Sequence, residues 1–365
     1  MPVIPEVNPI PLPAPPFLLS LLLHLTFLLH LIPMNLTVGG ISYLLYSEAI
    51  RNNSPVADWV RSYLPASTAL TITTGVAPLL FVQVLYGQFF FPATIVMAWS
   101  WLLIIPALLI GYSSLYYYLN KRQSLRFPWI PLSLTLFLFL YIAFLFANMA
   151  TLMSTPSKWQ TLYRSDPSGW NLNLTDLSLV PRFFHFFLGA CAVFGLVGAV
   201  YGGLLRSADP VRAQSLLSTG SRWFVSFTLL NFLVGPLFLL SQPAPIRANL
   251  LGAHPEGTFL LVVSILTAAA AMALTLSYQR SPSKNLLLIA GSLLSVTLIA
   301  MGRIRFLVRQ WTIAFEVPDF RISQIPAQPD WLLFAVFVVV LMGGLAIIFW
   351  IVKNWFTSAV REGAP

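Results

Sequence analysis

The chain has 365 residues, 58% of them hydrophobic and only 8% charged, with a mean hydropathy of +0.81. Soluble domains carry about 25% charged residues, so this composition places the chain in lipid and excludes a soluble enzyme or a nucleic-acid binder, despite the net charge of +9. The single cysteine, Cys191, excludes disulfides, cysteine-based zinc or iron–sulfur sites and the paired-cysteine attachment of c-type haem.

Residues 1–16 are Pro-rich and lack the basic start of a signal peptide, so they read as an extended extracytoplasmic segment. A spanning helix needs about 20 mostly apolar residues. Nine stretches qualify: 17–47, 66–88, 92–119, 128–153, 181–205, 222–242, 258–279, 284–303 and 331–353. The first is long enough to tilt or to begin outside the lipid. The second and third are divided only by residues 87–92. The longest loops fall at 155–180 and 304–330, too short for a soluble domain. The expected fold is an all-α integral membrane protein, a single helical bundle over 17–355 with a cytoplasmic tail at 356–365.

Charge sets the expected orientation. With the N-terminus outside, the inner loops hold 12 Lys and Arg residues and the outer side 8, while 4 acids lie inside and 7 outside. The Lys/Arg excess predicts N-out, C-in. Three of the outer arginines, Arg303, Arg305 and Arg309, cluster in one short stretch that marks a local function rather than topology.

Three of the four histidines, His24, His30 and His185, sit in long apolar runs. An imidazole in hydrocarbon needs a partner, and every Asp and Glu falls in a loop or at a span end. Haem iron is one partner; a backbone carbonyl or a threonine on a neighbouring helix is the other. His24 and His30 are about 9 Å apart along one helix and about 240° around it, so they cannot share one iron. His185 follows Arg182 by one turn within RFFHFF, where phenylalanines suit a porphyrin and the arginine suits a propionate. The glycines 189, 195, 198 and 202 on that helix let a macrocycle or another helix approach. Arg303, Arg305 and Arg309 invite anions, either haem propionates or a phospholipid head, although snorkelling to the interface explains Arg303 and Arg305 equally. No proton-carrying carboxylate chain, dinucleotide loop or phosphate loop is present.

These features, in this order, resemble subunit I of the cytochrome bd quinol oxidases. His30 precedes Gly39 by nine residues in a span ending LTVG, as the family's first-span haem ligand does. The second-span motif is similar to GVAPLLFVQVLYG at 75–87, the fifth-span F-x-H to FFH at 183–185, and the family's Arg-Gln motif to VRQWTIAFEVP at 308–318. The resemblance implies haem on His30 and His185, with Arg182, Arg309, Gln310, Trp311, Gln83 and His24 as further candidates for cofactor contact. It also implies a second related membrane subunit. The departures are as telling. Gln83 replaces an acidic ligand, Phe306 falls where a glutamate ligand is expected, no methionine lies near Leu260, and the quinol loop shrinks to 241–257.

The expected function is a haem b membrane subunit, carrying one or two haems, of a respiratory complex in the bacterial inner membrane. It exchanges electrons between quinone and a partner such as a c-type cytochrome. A divergent terminal oxygen reductase and a haem-free anchor for cytochrome subunits remain the alternatives. Whether the chain is itself an enzyme is left open by the residues.

Overall fold

The computed structural model describes residues 10–51, 53–280 and 283–361. Among the described residues, nine helices are long and apolar enough to cross a membrane. They are α1 (Pro16–Ala49), α2 (Pro55–Leu85), α3 (Ala98–Ser124), α4 (Trp129–Ser154), α5 (Leu179–Leu205), α6 (Pro210–Leu240), α7 (Pro255–Arg280), α8 (Lys284–Glu316) and α9 (Trp331–Arg361). The only β pairing there is a single bridge between Leu12 and Ala327. The chain is a multi-pass, all-helical membrane protein.

Helix ends depart from the apolar stretches in an instructive way. Hydropathy marks where lipid begins, whereas caps and breakers mark where the helix begins. α2 starts at Pro55, not 66, because the Ser54 side chain accepts from the Ala57 amide and proline suits the first turn. α6 starts at Pro210, not 222, for the same reason, with Asp209 as the cap. α8 does not stop at 303. Nothing between Gly302 and Pro318 breaks a helix, so it runs on to Glu316 and carries the arginine cluster into the bundle. The stretch expected as the start of the third span is instead a separate short helix, Gly87–Val96, ahead of α3.

Close packing comes from small residues. A β-carbon on Gly220 of α6 would meet the Ala199 amide and the Gly195 carbonyl of α5 at 2.6 Å each. The two backbones therefore touch, as small residues permit in membranes. The two largest apolar cores lie at opposite ends of the bundle. One, at the N-terminal end of the bundle, joins Leu12, Leu19, Phe89, Met149, Phe306 and Ile313. The other, at the opposite end, joins Leu44, Trp59, Tyr118, Phe194 and Leu216. Residues 10–15 are pinned to the α8–α9 loop: the Leu12 amide donates to the Pro326 carbonyl at 2.8 Å and the Gln328 amide to the Leu12 carbonyl at 2.9 Å. Residues 1–9 and 362–365 of the expected termini lie outside the described residues.

Away from the α8 arginines, one acid organises the opposite end of the bundle. At the end away from residues 10–15, the nearly buried Glu48 carboxylate pairs with Arg122, accepts from the Tyr118 hydroxyl at 2.7 Å, and lies 3.7 Å from Arg61. This one acid ties α1, α2 and α3 together.

Candidate functional site: a basic cavity beside His185

Two of the three α8 arginines, Arg305 and Arg309, fall on one face, while Arg303 pairs with Glu256 at 2.7 Å. Arg305, Val308, Arg309, Thr312 and Glu316 line a cavity of about 440 Å³ at the N-terminal end of the bundle. Their spacing of three and four residues is that of a single helical face. The other walls come from α4, α5 and the segments flanking α5 and α6. They supply Lys158, Asp176, Ser178, Arg182, Ser241 and Arg247. Five cations thus face two carboxylates. Among the described residues, none of the five has a carboxylate within 4.0 Å.

Neutral groups hold these cations instead. Arg182 donates to the Ser178 hydroxyl at 3.3 Å and lies 5.1 Å over the Phe238 ring, while its Nε is buried without a hydrogen-bond partner. Arg305 lies between the Phe27 and Phe186 rings, 4.6 and 5.4 Å from their centroids. Arg309 covers the buried ring of Tyr86 at 5.2 Å. Cation–π contacts orient a guanidinium without neutralising it, so the cavity keeps a strong positive potential.

His185 stands one turn inward from Arg182 on α5, outside the cavity lining. It faces Asn231, Gly235 and Phe238 of α6, which recur every three to four residues. A β-carbon at position 235 would come within 3.6 Å of the ring, so glycine keeps that face shallow. The His185 Nδ1 is buried with no well-formed hydrogen bond, and so is the facing Asn231 Oδ1. A buried ring nitrogen left without a firm partner is what an iron ligand looks like when only protein atoms are counted.

His30 Nδ1 is likewise buried without a well-formed hydrogen bond. Its ring lies with the Cε1–Nδ1 edge toward α2, against Gly75 and the Thr71 backbone. A hydroxyl chain continues beside it: Thr37 Oγ1 is 2.9 Å from Ser67 Oγ and 3.1 Å from Thr71 Oγ1. His24 is different. Its Nδ1 bonds the Ser20 carbonyl at 2.6 Å, and its ring meets Phe306 edge-on at 4.4 Å, although Nε2 is buried without a partner. The two histidines stand on different faces of α1, as their spacing requires.

The Arg-Gln-Trp stretch divides. Arg309 enters the cavity. Trp311 turns to the start of α7, with its ring 5.0 Å from His254 and against Gly257. Gln310 lies off the cavity face, and Gln83 sits on the last turn of α2 outside the lining. Lys158, Arg247, Asn231 and Gly235 gave no signal in the sequence beyond their charge or size. They reach the site from segments far apart in the chain.

No protein-family model and no curated protein matches this sequence. A solved structure does. The bd oxidase from Geobacillus thermodenitrificans superposes with a TM-score of 0.67 over 98% of this chain and 100% of that chain, at 13% identity. The fold is bd oxidase-like. Within this fold, Phe306, where the resemblance expects a glutamate, covers His24. Among the described residues no three His, Cys, Asp or Glu side chains gather as a metal cluster. The donors stand singly, and axial ligation of haem asks for single donors. His185, with its unsatisfied nitrogen and adjacent arginine, fits that group. His30 is the weaker fit, because the Cε1–Nδ1 edge of its ring is taken by α2.

Proposed function

We propose that this chain is a haem b-binding subunit of a respiratory electron-transfer complex in the bacterial cytoplasmic membrane, N-terminus outside, passing electrons between the quinone pool and a partner cytochrome. The observation that carries the proposal is the buried Nδ1 of His185 without a firm partner, one turn from an arginine that opens into a basic cavity. A haem b held there supplies reversible one-electron transfer. The chain's own residues do the rest. His185 would hold the iron, and Arg182 and Arg309 would hold the propionates as charge-assisted donors. Asn231, which faces the His185 ring, would help orient it, as outer partners of ligating histidines do. His30 marks a second haem position or its vestige. Surrounding phenylalanines exclude water and lower the local dielectric, which tunes the potential. The bd oxidase-like fold supports a respiratory membrane subunit, and a second membrane subunit and a c-type cytochrome are the proposed partners.

The test is a pyridine haemochrome assay on the purified protein, giving haems per chain, with a reduced-minus-oxidised spectrum. A Soret band that His185→Ala loses supports the assignment. Protein with no Soret band ends it and leaves the haem-free anchor. A second reading, a divergent oxygen reductase, rests on the hydroxyl chain Thr37, Ser67 and Thr71 beside His30, which offers an acid-free route for protons. Oxygen uptake driven by quinol and abolished in His30→Ala would carry it; no uptake by the intact complex would remove it.

A further inference from the structure

The cavity holds more positive charge than two haem propionates neutralise. Five cations face two carboxylates, Asp176 and Glu316. Two propionates, taken from the haem reading above, still leave one positive charge uncompensated. We propose that the rim of this cavity is a phosphate site, in which Lys158 and Arg247 hold one singly charged phosphate group, either a phospholipid headgroup or free phosphate.

The rim geometry carries this independently of the haem. Lys158 and Arg247 come from the segments after α4 and α6 and line the same cavity. Each is held in place by neutral acceptors. Lys158 Nζ donates to Asn173 Oδ1 at 3.3 Å. Arg247 donates to the carbonyls of Leu240 at 2.8 Å and Gln242 at 3.3 Å. Such bonds fix a side chain while leaving its charge unspent, the preorganised state an anion site needs. Thr155 and Ser241 line the same space, with their hydroxyls donated to the carbonyls of Thr151 and Phe238. Deeper in, the buried Nε of Arg182 has no partner within the protein.

Depth favours phosphate over other anions. Tryptophans ring this end of the bundle: Trp99 and Trp170 stack at 6.1 Å and are each half exposed, and Trp331 begins α9 in the open. Indoles settle at the membrane–water interface, so the rim opens at headgroup level, where lipid phosphates lie.

The experiment uses the full chain, with any subunits that co-purify, washed in detergent and assayed for bound phosphorus and by native mass spectrometry. The wild type is expected to keep about one phosphate group per chain. The Lys158→Gln/Arg247→Gln double variant is expected to lose most of it, and Arg321→Gln, an exposed arginine at the same end, none. Thermal midpoints then identify the source. A rise with inorganic phosphate alone indicates a free anion. A rise only in nanodiscs of phosphatidylglycerol indicates a headgroup. Equal phosphorus in wild type and double variant, or no midpoint response to either probe, overturns the proposal. Should the double variant misfold, Arg247→Lys is expected to retain the phosphate and Arg247→Gln alone to lose it. Haem content is read in the same samples. Haem without rim-dependent phosphorus rejects the phosphate site alone, and rim-dependent phosphorus without haem rejects the haem reading alone.

Discussion

Gly75 of α2 lies so close to the His30 ring of α1 that a β-carbon on it would sit 2.9 Å from Cε1 and 3.1 Å from Nδ1. The absence of a side chain on one helix therefore sets the ring position on the other. Both residues belong to the stretches that carry the resemblance to the bd oxidases, and the fold makes them neighbours.

Gly75→Ala should displace the His30 ring. Alanine gains about 1 kcal/mol of helix propensity, but overpacking costs about 1–3 kcal/mol and a ring held by Thr71 gives way poorly. The expected result is a lower thermal midpoint. If His30 holds haem, an altered low-temperature optical spectrum accompanies it. An unchanged midpoint and spectrum would show that the ring moves freely.

Gly220→Ala tests the α5–α6 contact more severely. Its nearest neighbours are backbone atoms of Ala199 and Gly195, which cannot rotate away. A loss of at least about 2 kcal/mol is expected, with the helices forced apart. Gly343→Ala on α9 is the control, because nothing lies within 4 Å of its added carbon. Denaturation of the two variants in the same detergent should separate them clearly.

Glu48→Gln removes the one carboxylate shared by Arg122, Arg61 and Tyr118. The acid is 7% exposed and its arginines 21% and 16%, so solvent screens part of the loss. The cost should be about 1–3 kcal/mol, below that of a fully buried pair. Because the site lies at the opposite end of the bundle from the cavity, haem content and phosphorus should stay unchanged. A fall in either would mean that the two ends are coupled.

Arg182→Gln should lower the midpoint potential of the haem assigned to His185. Reduction adds one negative charge, which a nearby guanidinium stabilises and glutamine does not. The shift should be negative and on the order of tens of mV, measured by redox titration. Arg182→Lys should recover part of it. A potential that is identical in all three proteins would place the propionates elsewhere.

The sequence by itself determined the solvent and the secondary structure. Nine apolar stretches can satisfy their backbone in lipid only as helices, and the bundle follows from that. It also singled out His30, His185, Arg182 and Arg309, because polar groups in such stretches are conspicuous. Tertiary structure decided the rest. That α8 runs on to Glu316 reflects the absence of a breaker before Pro318, joined to a cavity that welcomes arginines; hydropathy alone ends the span at 303. That Arg309 enters the cavity while Trp311 leaves it depends on the rotation of α8 against its neighbours. That Lys158, Arg182, Arg247 and Arg305 share one space depends on four segments meeting at one end. Lateral packing in a membrane is set by shape, by which glycines let which backbones touch, and the linear order of residues does not display shape.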